Sequence, residues 1–348
     1  MALAMPVVWS DRHRLHDPGG EVWVGVRIPG TEVPDRADRI RDALVEAGAE
    51  FFGAARQRDD AVLAVHDRAL IDYLATAWDD WEAAGLTTEP GQDRVVPYVF
   101  AHPELGAKLA VPTAASARAG YFAYDTMTLV GPGTWEAARA AMDVALTAAQ
   151  LVLAGAPAAY ACCRPPGHHA TRSAFGGSCY LNNTAAAAAR MRTLGEIAVV
   201  DIDAHHGNGT QAIFYDDADV RTGSVHVDPG AGWFPHFVGF ASETGHGANH
   251  NIPLAPGTGD DGWLAAIEEL AAWARPARGL VVALGVDAAA GDPESPLTVT
   301  AEGYRAAGRT LGRLRLPTVI VQEGGYDLDT IGGLVLEFLT GIEEGGFG

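Results

Sequence analysis

The sequence predicts a single doubly wound α/β domain with a central parallel sheet, and three observations support that prediction. Short runs rich in Val, Ile and Leu alternate with longer helix-like stretches along the whole chain, which is the pattern of buried parallel strands joined by helices. No Ser/Pro/Gly-rich linker and no internal repeat divides the 348 residues. A chain of this length with 20% charged residues can bury one large core. We therefore predict one domain over residues 1–348.

Local patterns then place the individual elements. Helices are expected where apolar residues recur with helical spacing. They are predicted at 35–47, 69–84, 135–153, 183–194, 262–274 and 303–314, with a further helix at the end of the chain. Buried strands are expected where short apolar runs lead into polar or glycine-rich turns. These runs lie at 197–200, at 279–286, from 317 onward and just before Cys162.

The most informative stretch is Asp-Ile-Asp-Ala-His-His-Gly-Asn-Gly-Thr at 201–210, which directly follows a predicted strand. In a parallel α/β sheet, sites are built where strands end. Side chains two residues apart on an extended backbone point the same way. Asp203 and His205 are therefore expected to aim at one point, and a carboxylate with an imidazole makes half of a metal site.

The second predicted strand, 279–286, ends in Asp287. Because parallel strands end at the same edge of a sheet, Asp287 is expected near Asp203 and His205. Three protein ligands leave a coordination position open, which is typical of a catalytic metal rather than a structural one. Two carboxylates and one imidazole suit Zn²⁺, and such an oxygen-rich set also suits Fe²⁺ or Co²⁺.

Two further strand-end segments carry chemically capable side chains. Adjacent histidines, His168 and His169, close the segment Cys-Cys-Arg-Pro-Pro-Gly-His-His, and Tyr326 closes Glu-Gly-Gly-Tyr after the run that begins at 317. Each segment alone has an ordinary structural interpretation, such as a surface histidine pair, a tight turn or a helix cap. Their joint occurrence at predicted strand ends favours a catalytic site.

These segments, in this order, resemble the zinc-dependent deacetylases of the arginase–deacetylase fold, which include histone deacetylases and bacterial acetylpolyamine amidohydrolases. The resemblance spans nearly the whole chain and is strongest toward the acetylpolyamine amidohydrolases, with a class II-like pattern. The matching motifs are Pro-Gly-Thr-Trp-Glu-Ala at 132–137, Cys-Arg-Pro-Pro-Gly-His-His-Ala at 163–170, His-His-Gly-Asn-Gly-Thr-Gln at 205–211, Phe-Pro-His-Phe at 234–237 and Glu-Gly-Gly-Tyr at 323–326.

The resemblance implies a role for each catalytic group. Zn²⁺ on Asp203, His205 and Asp287 would polarise an amide carbonyl and lower the pKa of its bound water. His169 is then the general base, and the amide of Asn208 is its partner. A second set completes the chemistry: His168 is an electrostatic helper paired with Asp201, and Tyr326 is the hydrogen-bond donor to the oxyanion.

The same resemblance implies a structural monovalent cation, K⁺, at two positions. The inner position corresponds to Asp201, Asp203, His205, Ser224 and Val225, in part through backbone carbonyls. The outer position corresponds to Phe214, Asp217 and Val220.

Substrate-binding residues follow from the resemblance less completely. Gly177 matches the residue whose carbonyl receives the substrate amide N–H, and Phe234 matches an aromatic wall of the tunnel. Ser178 stands where relatives place the second aromatic wall. Loss of one aromatic face widens the tunnel and favours a bulkier or less cationic substrate.

Two glutamates point instead toward a cationic substrate. Glu294 falls where the polyamine-selective eukaryotic deacetylase carries its gatekeeper glutamate, and Glu21 falls where the bacterial polyamine enzyme has one in its first loop. Carboxylates at a tunnel mouth could pair with a distal ammonium. Their ordinary alternative is a pair of solvated loop glutamates.

Residues 85–133 resemble the insertion that forms a dimer interface and narrows the entrance in acetylpolyamine amidohydrolases, so a homodimer is expected. The polyamine enzyme carries glutamates at two positions of that insertion where this chain has Ser116 and Met127, with Asp125 nearby.

Composition narrows the partners and the location. A formal net charge of −20 disfavours nucleic acid and anionic membranes as partners and favours cationic ligands, although acidity also serves solubility. No apolar run approaches the roughly 20 residues of a membrane span. Three cysteines do not form a disulfide framework. A cytoplasmic protein is expected.

Three function classes are compatible with these observations. We favour a metal-dependent amidohydrolase acting on linear amides, which removes acetyl or similar acyl groups from small N-acylated amines such as acetylpolyamines. The alternatives are a protein deacetylase acting on acetyl-lysine and a non-catalytic binding member of the fold. A binuclear manganese ureohydrolase would need more carboxylates than these loops offer.

Overall fold

The computed structural model describes residues 3–346 of the chain. Its strands are β1 (Val7–Trp9), β2 (Glu21–Trp23), β3 (Val26–Ile28), β4 (Phe51–Gly53), β5 (Ala158–Ala161), β6 (Ile197–Asp201), β7 (Val220–Val227), β8 (Asn249–Leu254), β9 (Gly279–Leu284) and β10 (Thr318–Gln322). Its α-helices are α1 (Asp35–Glu46), α2 (Asp59–Leu63), α3 (Arg68–Ala83), α4 (Ala115–Phe122), α5 (Thr134–Leu153), α6 (Asn183–Met191), α7 (Asn208–Phe214), α8 (Asp260–Ala274), α9 (Ala301–Gly312) and α10 (Ile331–Gly346).

Eight strands form one sheet in the order β4-β1-β5-β10-β9-β6-β7-β8, and every neighbouring pair is parallel. Successive side chains on each strand point to opposite faces. Val199 accordingly packs into a core with helices α3, α5 and α6, whereas Val200 packs into a second core with α1, α8, α9 and α10. The prediction of one doubly wound domain with a central parallel sheet is confirmed.

The six predicted helices are present, with ends that differ from the predicted ones by at most three residues. The predicted helix 183–194 ends as an α-helix at Met191 and continues as a 3₁₀ turn over 192–194. Side-chain caps explain two of the starts. Asn182 accepts a hydrogen bond from the amide of Ala185 before α6, and Thr300 accepts one from the amide of Gly303 before α9.

Strands β2 and β3 form a separate antiparallel hairpin that pairs with no strand of the main sheet. Over the hairpin, Trp23, Val24 and Val26 are exposed. The Thr126 hydroxyl donates a hydrogen bond of 2.8 Å to the carbonyl of Val22, which ties the hairpin to the 85–133 segment. Within residues 3–346, no helix is both long enough and apolar enough to cross a membrane.

Candidate active site and metal centre

The site lies at the carboxyl ends of four adjacent strands. β5, β10, β9 and β6 are consecutive in the sheet, so the segments that follow them are brought together at one edge. Those segments hold the histidine pair, the Glu-Gly-Gly-Tyr turn, Asp287 and the 201–210 motif, as their strand-end positions predict.

The three predicted metal ligands converge. Ligand atoms of Asp203, His205 and Asp287 all lie within 4.8 Å of one another, and Nδ1 of His205 is 3.3 Å from Asp203 Oδ1 and 3.0 Å from Asp287 Oδ2. The backbone conformation that brings these ligands together differs from the expected one. Strand β6 ends at Asp201, so Asp203 and His205 lie in a bent loop rather than on extended backbone.

The electrostatics of this triad favour a cation. Burial acts to lower the pKa of His205, yet hydrogen bonds with Asp203 and Asp287 raise it well above its usual value. Burial and the neighbouring Asp203 carboxylate raise the pKa of Asp287 to about 7. Two buried carboxylates in contact repel each other unless positive charge lies between them. One imidazole nitrogen and two carboxylates are also a donor set suited to a divalent metal.

His168 is enclosed by carboxylates. Its Nδ1 lies 2.9 Å from Asp201 Oδ2, and its Nε2 lies 3.8 Å from Asp203 Oδ1. Burial acts to lower the pKa of His168, but the charges of Asp203 and Asp201 outweigh it and raise the pKa to about 10. The predicted pairing of His168 with Asp201 is therefore present, and His168 carries a positive charge at neutral pH.

His169 has the opposite environment. Its Nδ1 lies 2.6 Å from the side-chain oxygen of Asn208, and its backbone carbonyl accepts a hydrogen bond from the Tyr124 hydroxyl at 2.9 Å. Burial first, and then the positive charges on His168 and His205, lower the pKa of His169 well below its usual value. A neutral imidazole whose Nδ1–H is held by Asn208 leaves Nε2 as a proton acceptor.

Tyr326 is held from both sides. Its amide donates to Asp292 Oδ2 at 2.8 Å, and the Arg36 guanidinium lies 4.4 Å from the centre of its ring. Burial raises the pKa of Tyr326 well above its usual value. The phenol is therefore protonated at neutral pH and can donate a hydrogen bond.

A pocket of about 280 Å³ opens onto this chemistry. It is lined by Glu21, Trp23, Thr31, Met127, His169, Gly177, Ser178, His205, Gly232, Trp233, Phe234, His236, Glu294 and Tyr326. The ring of Phe234 packs edge-on against His169 at 4.8 Å between centroids. Gly177 has a left-handed φ of +58°, and a Cβ there would lie 2.3 Å from the His169 ring. Glycine is thus required where the chain passes closest to His169.

Ser178 lines the pocket where an aromatic wall was expected in relatives. Its φ of +60° is also left-handed, and its amide donates a hydrogen bond of 2.8 Å to the Thr128 hydroxyl. The preceding amide, of Gly177, donates one of 2.6 Å to Asp125 Oδ2. Asp125 therefore holds the backbone of the pocket wall through the amide of Gly177. Met127 lines the pocket, whereas Ser116 is not among the lining residues.

Glu21 and Glu294 both line the pocket, so the two sequence-predicted mouth residues are brought to one place. Burial, together with the charges of Glu294 and Asp125, raises the pKa of Glu21 to about 7. A carboxylate destabilised in this way gains from a bound cation.

The predicted inner cation residues lie around the end of β6. Asp201 pairs in register with Ser224 of β7, and Val225 follows it. The Ser224 hydroxyl lies 2.8 Å from Nδ1 of His226. The predicted outer residues form a short chain of backbone hydrogen bonds: the amide of Asp217 donates to the Phe214 carbonyl at 2.9 Å, and that of Val220 donates to the Asp217 carbonyl at 3.2 Å.

Several lining or supporting residues were not predicted. Trp233 and His236 lie on the irregular loop after β7, where no periodic pattern indicates direction, and Arg36 reaches Tyr326 from α1 across 290 positions of sequence. Trp23 could have been found, because it stands two residues after Glu21 on one strand and so shares its face.

Comparison with known proteins agrees with the geometry. The sequence model of the histone deacetylase domain matches residues 30–342. The acetylpolyamine amidohydrolase of Mycoplana ramosa is 40% identical over 349 aligned residues, covering 97% of this chain and 99% of that protein. Acetylpolyamine amidohydrolase 1 of Pseudomonas aeruginosa is 39% identical, with coverage of 97% and 98%.

Among solved structures, the acetylpolyamine aminohydrolase from Burkholderia pseudomallei superposes with a TM-score of 0.92 at 35% sequence identity, covering 98% of this chain and 99% of that one. The fold and the full-length similarity both agree with the resemblance drawn from the sequence. The chain belongs to the histone deacetylase family, a family of deacetylases and amidohydrolases that is generally metal-dependent.

Proposed function

We propose that the protein is a metal-dependent amidohydrolase that removes the acetyl group from small N-acetylated amines whose far end carries a positive charge, as in an acetylpolyamine. One observation carries the proposal. A single pocket has the histidine pair's His169, the ligand His205 and Tyr326 among its lining residues, together with the carboxylates of Glu21 and Glu294. Whole-length similarity to acetylpolyamine amidohydrolases supports the same substrate class.

Asp203, His205 and Asp287 would hold the metal, and we propose Zn²⁺ as its identity, with Fe²⁺ or Co²⁺ as chemically compatible substitutes. When bound, such an ion supplies Lewis acidity for the amide carbonyl and for water. The fit rests on the donor set, on the closeness of the ligand atoms and on the surplus of buried negative charge beside them.

The remaining steps are assigned to side chains of this chain. His169 Nε2 accepts the proton of the attacking water as its oxygen bonds to the carbonyl carbon, and Asn208 fixes the ring tautomer. The Tyr326 hydroxyl donates a hydrogen bond to the oxyanion that forms. His169 then returns the proton to the leaving nitrogen as the C–N bond breaks, which yields the carboxylic acid and the free amine.

Two groups act on orientation and charge. The cationic His168, paired with Asp201, stabilises negative charge that develops beside it. The carbonyl of Gly177 would accept the substrate N–H and align the amide above the histidines, because its backbone closely approaches His169. His168, His169 and Tyr326 are each assigned a role in the protonation state that their surroundings favour.

The charge-selective part is the pair Glu21 and Glu294. A charge-assisted hydrogen bond in a partly desolvated site discriminates strongly between an ammonium and a neutral group. A cation bound beside the two glutamates also offsets the burial, and the repulsion from Glu294 and Asp125, that together raise the pKa of Glu21.

Ser178 supports a second candidate substrate class, namely neutral or bulkier N-acylated amines. A serine offers no aromatic face opposite Phe234, so the wall that would hold a slim alkyl chain is reduced there. Trp23 and Trp233 add apolar surface that such substrates could cover.

We propose K⁺ near Asp201, Asp203, His205, Ser224 and Val225, and a second K⁺ near Phe214, Asp217 and Val220, as structural ions. Support comes from the family resemblance and from the adjacency of Asp201 and Ser224 across β6 and β7. Isothermal titration of salt-free protein with KCl, against NaCl, would test both positions.

We also propose a homodimer formed through residues 85–133 and a cytoplasmic location. Tyr98, Leu105 and Val111 in that segment are exposed apolar side chains, and burying them against a second copy would remove apolar area from water. The three buried free cysteines fit a reducing compartment. Sedimentation of the protein and of a Tyr98→Ser, Leu105→Ser variant tests the dimer: the variant should sediment as a monomer.

The deciding experiment is turnover by the zinc-loaded enzyme on acetylputrescine, acetylspermidine, an acetyl-lysine peptide and a neutral N-acetylated arylalkylamine. Preference for the two acetylpolyamines supports charge recognition by Glu21 and Glu294. Preference for the neutral amide would replace it with the substrate class that Ser178 favours. Preference for the peptide would make the protein a protein deacetylase, and no turnover on any substrate would favour a non-catalytic member.

A further inference from the structure

A buried carboxylate outside the proposed mechanism, that of Glu323, contacts the backbone of the histidine pair's turn. Glu323 follows β10 and has no solvent-exposed surface. Burial raises its pKa to about 7. A buried carboxyl group is costly unless its oxygens are hydrogen-bonded, so its partners indicate what it is retained to hold.

Those partners belong to two separate segments. Oε2 of Glu323 accepts hydrogen bonds from the amides of Gly167, at 2.6 Å, and His168, at 3.1 Å. Oε1 accepts one from the hydroxyl of Thr184 in the first turn of α6, at 2.6 Å. The side chain thus bridges β10, the histidine turn and the start of α6.

The carbonyls of the histidine turn have other partners: the Thr210 amide donates to the His168 carbonyl at 3.1 Å, and the Tyr124 hydroxyl donates to the His169 carbonyl at 2.9 Å. Residues 162–170 are neither helix nor strand, so the amides of Gly167 and His168 are not satisfied by regular secondary structure, and within residues 3–346 it is Glu323 that accepts from both. Gly167 also leaves no room for a side chain, because a Cβ there would lie 2.5 Å from the amide of Asn183. These two amide hydrogen bonds therefore tie the backbone of Gly167 and His168 to the end of β10.

The segment that carries Glu323 also reaches the rest of the site. The amide of Gly324 donates to the metal-ligand carboxylate of Asp203 at 2.7 Å, and Tyr326 stands two residues further on. The segment 323–326 therefore contains the proposed oxyanion donor and contacts both the histidine turn and a proposed metal ligand. A displacement of the histidines relative to Asp203 and Tyr326 would lower the rate of the reaction, because misplacement by about 1 Å can cost about 100-fold in rate.

We propose that Glu323 is a positioning residue that fixes the backbone of Gly167 and His168, and through it the rings of His168 and His169 relative to Asp203 and Tyr326. The inference rests on the proposed function for its kinetic consequence only. Its structural consequence, ordering of the turn, holds whatever the substrate.

The test compares two substitutions of similar size. In Glu323→Gln the amide oxygen can accept both N–H groups and the amide nitrogen can donate to the Thr184 hydroxyl. In Glu323→Met neither N–H group has an acceptor. We expect kcat within about threefold of the wild type for Gln and about 100-fold lower for Met. KM and metal content should stay within about twofold in both, because the pocket mouth and metal ligands are untouched.

Thr184→Val is the matched control, because it removes the hydrogen bond to Oε1 and leaves both amide bonds. Its kcat should stay within about threefold of the wild type. Amide hydrogen exchange provides a readout independent of activity. Exchange over residues 163–169 should speed up in Glu323→Met and remain near the wild-type rate in Glu323→Gln and Thr184→Val.

Wild-type kcat in Glu323→Met, or unchanged exchange over 163–169 in that variant, would overturn the proposal. So would a Glu323→Gln variant as impaired as Glu323→Met. A Glu323→Met variant that loses kcat, metal content and thermal stability together, with a raised KM, would overturn it as well. If the wild type hydrolyses none of the acylated amines, the proposed function fails, while the exchange comparison still decides the role of Glu323.

Discussion

Thr31 and Glu294 are joined by a hydrogen bond of 2.6 Å from the threonine hydroxyl to Oε1, although they lie 263 positions apart in the chain. The bond links the segment after the β2–β3 hairpin to the loop after β9. Both residues line the pocket. Glu294 is therefore a carboxylate held in place at the mouth, rather than a freely rotating loop side chain.

Glu294→Gln removes the charge and keeps an oxygen that can accept from Thr31. We expect KM for acetylputrescine to rise about tenfold, since a charge-assisted hydrogen bond is worth about 1.5–3 kcal/mol before allowance for solvent. KM for a neutral N-acetylated amine should not change. Glu268→Gln, an exposed position on α8, controls for net charge. An equal rise for both substrates would refute charge recognition at Glu294.

The affinity for cationic substrates should depend on pH through Glu21. Its pKa is raised to about 7 by burial and by the charges of Glu294 and Asp125, so the carboxyl group is neutral below that pH and charged above it. KM for acetylputrescine should therefore rise as pH falls from 8 to 6, whereas KM for a neutral substrate stays level. Glu21→Gln should give the high KM at every pH; a wild-type pH profile in that variant would contradict this.

Tyr326→Phe removes one hydroxyl and leaves the ring on which Arg36 lies. We expect kcat to fall about 100- to 1,000-fold, the usual effect of losing one oxyanion donor. Metal content and melting temperature should match the wild type. Steady-state kinetics measure the change in kcat, and elemental analysis measures the metal content. Undiminished turnover would remove Tyr326 from the mechanism.

His205→Ala deletes the only nitrogen among the three proposed metal ligands and leaves Asp203 and Asp287 in mutual repulsion. Metal bound after dialysis should fall to less than about a tenth of the wild-type content, since three ligands are needed for a stable site. His246→Ala, at an exposed position, should bind metal normally. Full occupancy in His205→Ala would place the metal elsewhere.

Glu32→Ala should destabilise the fold, although Glu32 is not among the residues that line the pocket. Glu32 is buried and bonds Arg164 at 2.7 and 2.9 Å and Arg36 at 3.0 Å, so its removal leaves two buried cations unpaired. We expect a loss of about 3–5 kcal/mol of unfolding free energy at pH 7 in urea. Glu46→Ala, exposed at the end of α1, should lose less than about 0.5 kcal/mol.

The pH dependence of that contribution has a defined sign. Burial opposes the charge on Glu32, but Arg164, His16 and Arg36 lower its pKa below the usual value. Its stabilisation is therefore fully present above the unfolded-state pKa of about 4.3 and is lost progressively as pH falls from there through the lower folded-state pKa. The difference between wild type and Glu32→Ala should shrink in acid.

The sequence was sufficient to predict a central parallel sheet with four of its eight strands, six helices and the convergence of Asp203, His205 and Asp287, because buried parallel strands and their polar ends leave a strong local pattern. Helices α2 and α7 were missed because five and seven residues are too few to show helical periodicity. The bounds of α10 were obscured by glycines, which weaken a helix. Gly341 instead allows α10 to approach α9, where a Cβ would lie 2.1 Å from the carbonyl of Arg305.

Other site features depend on contacts that no local pattern encodes. Glu323 lies inside a motif that the sequence singles out, yet its hydrogen bonds to Gly167 and His168 exist only once β5 and β10 are neighbours. Trp233 and His236 lie on an irregular loop whose path is set by tertiary packing.

The β2–β3 hairpin contributes to substrate recognition without being part of the sheet that positions the hydrolytic residues. Its strands pair only with each other, yet it supplies Glu21 and Trp23 to the pocket. The residues proposed to perform the hydrolysis lie in loops at the carboxyl ends of the main sheet, and that sheet does not need the hairpin for its hydrogen bonding. We therefore expect that replacing residues 21–28 changes which amines are accepted and leaves the residues proposed to perform the hydrolysis in place.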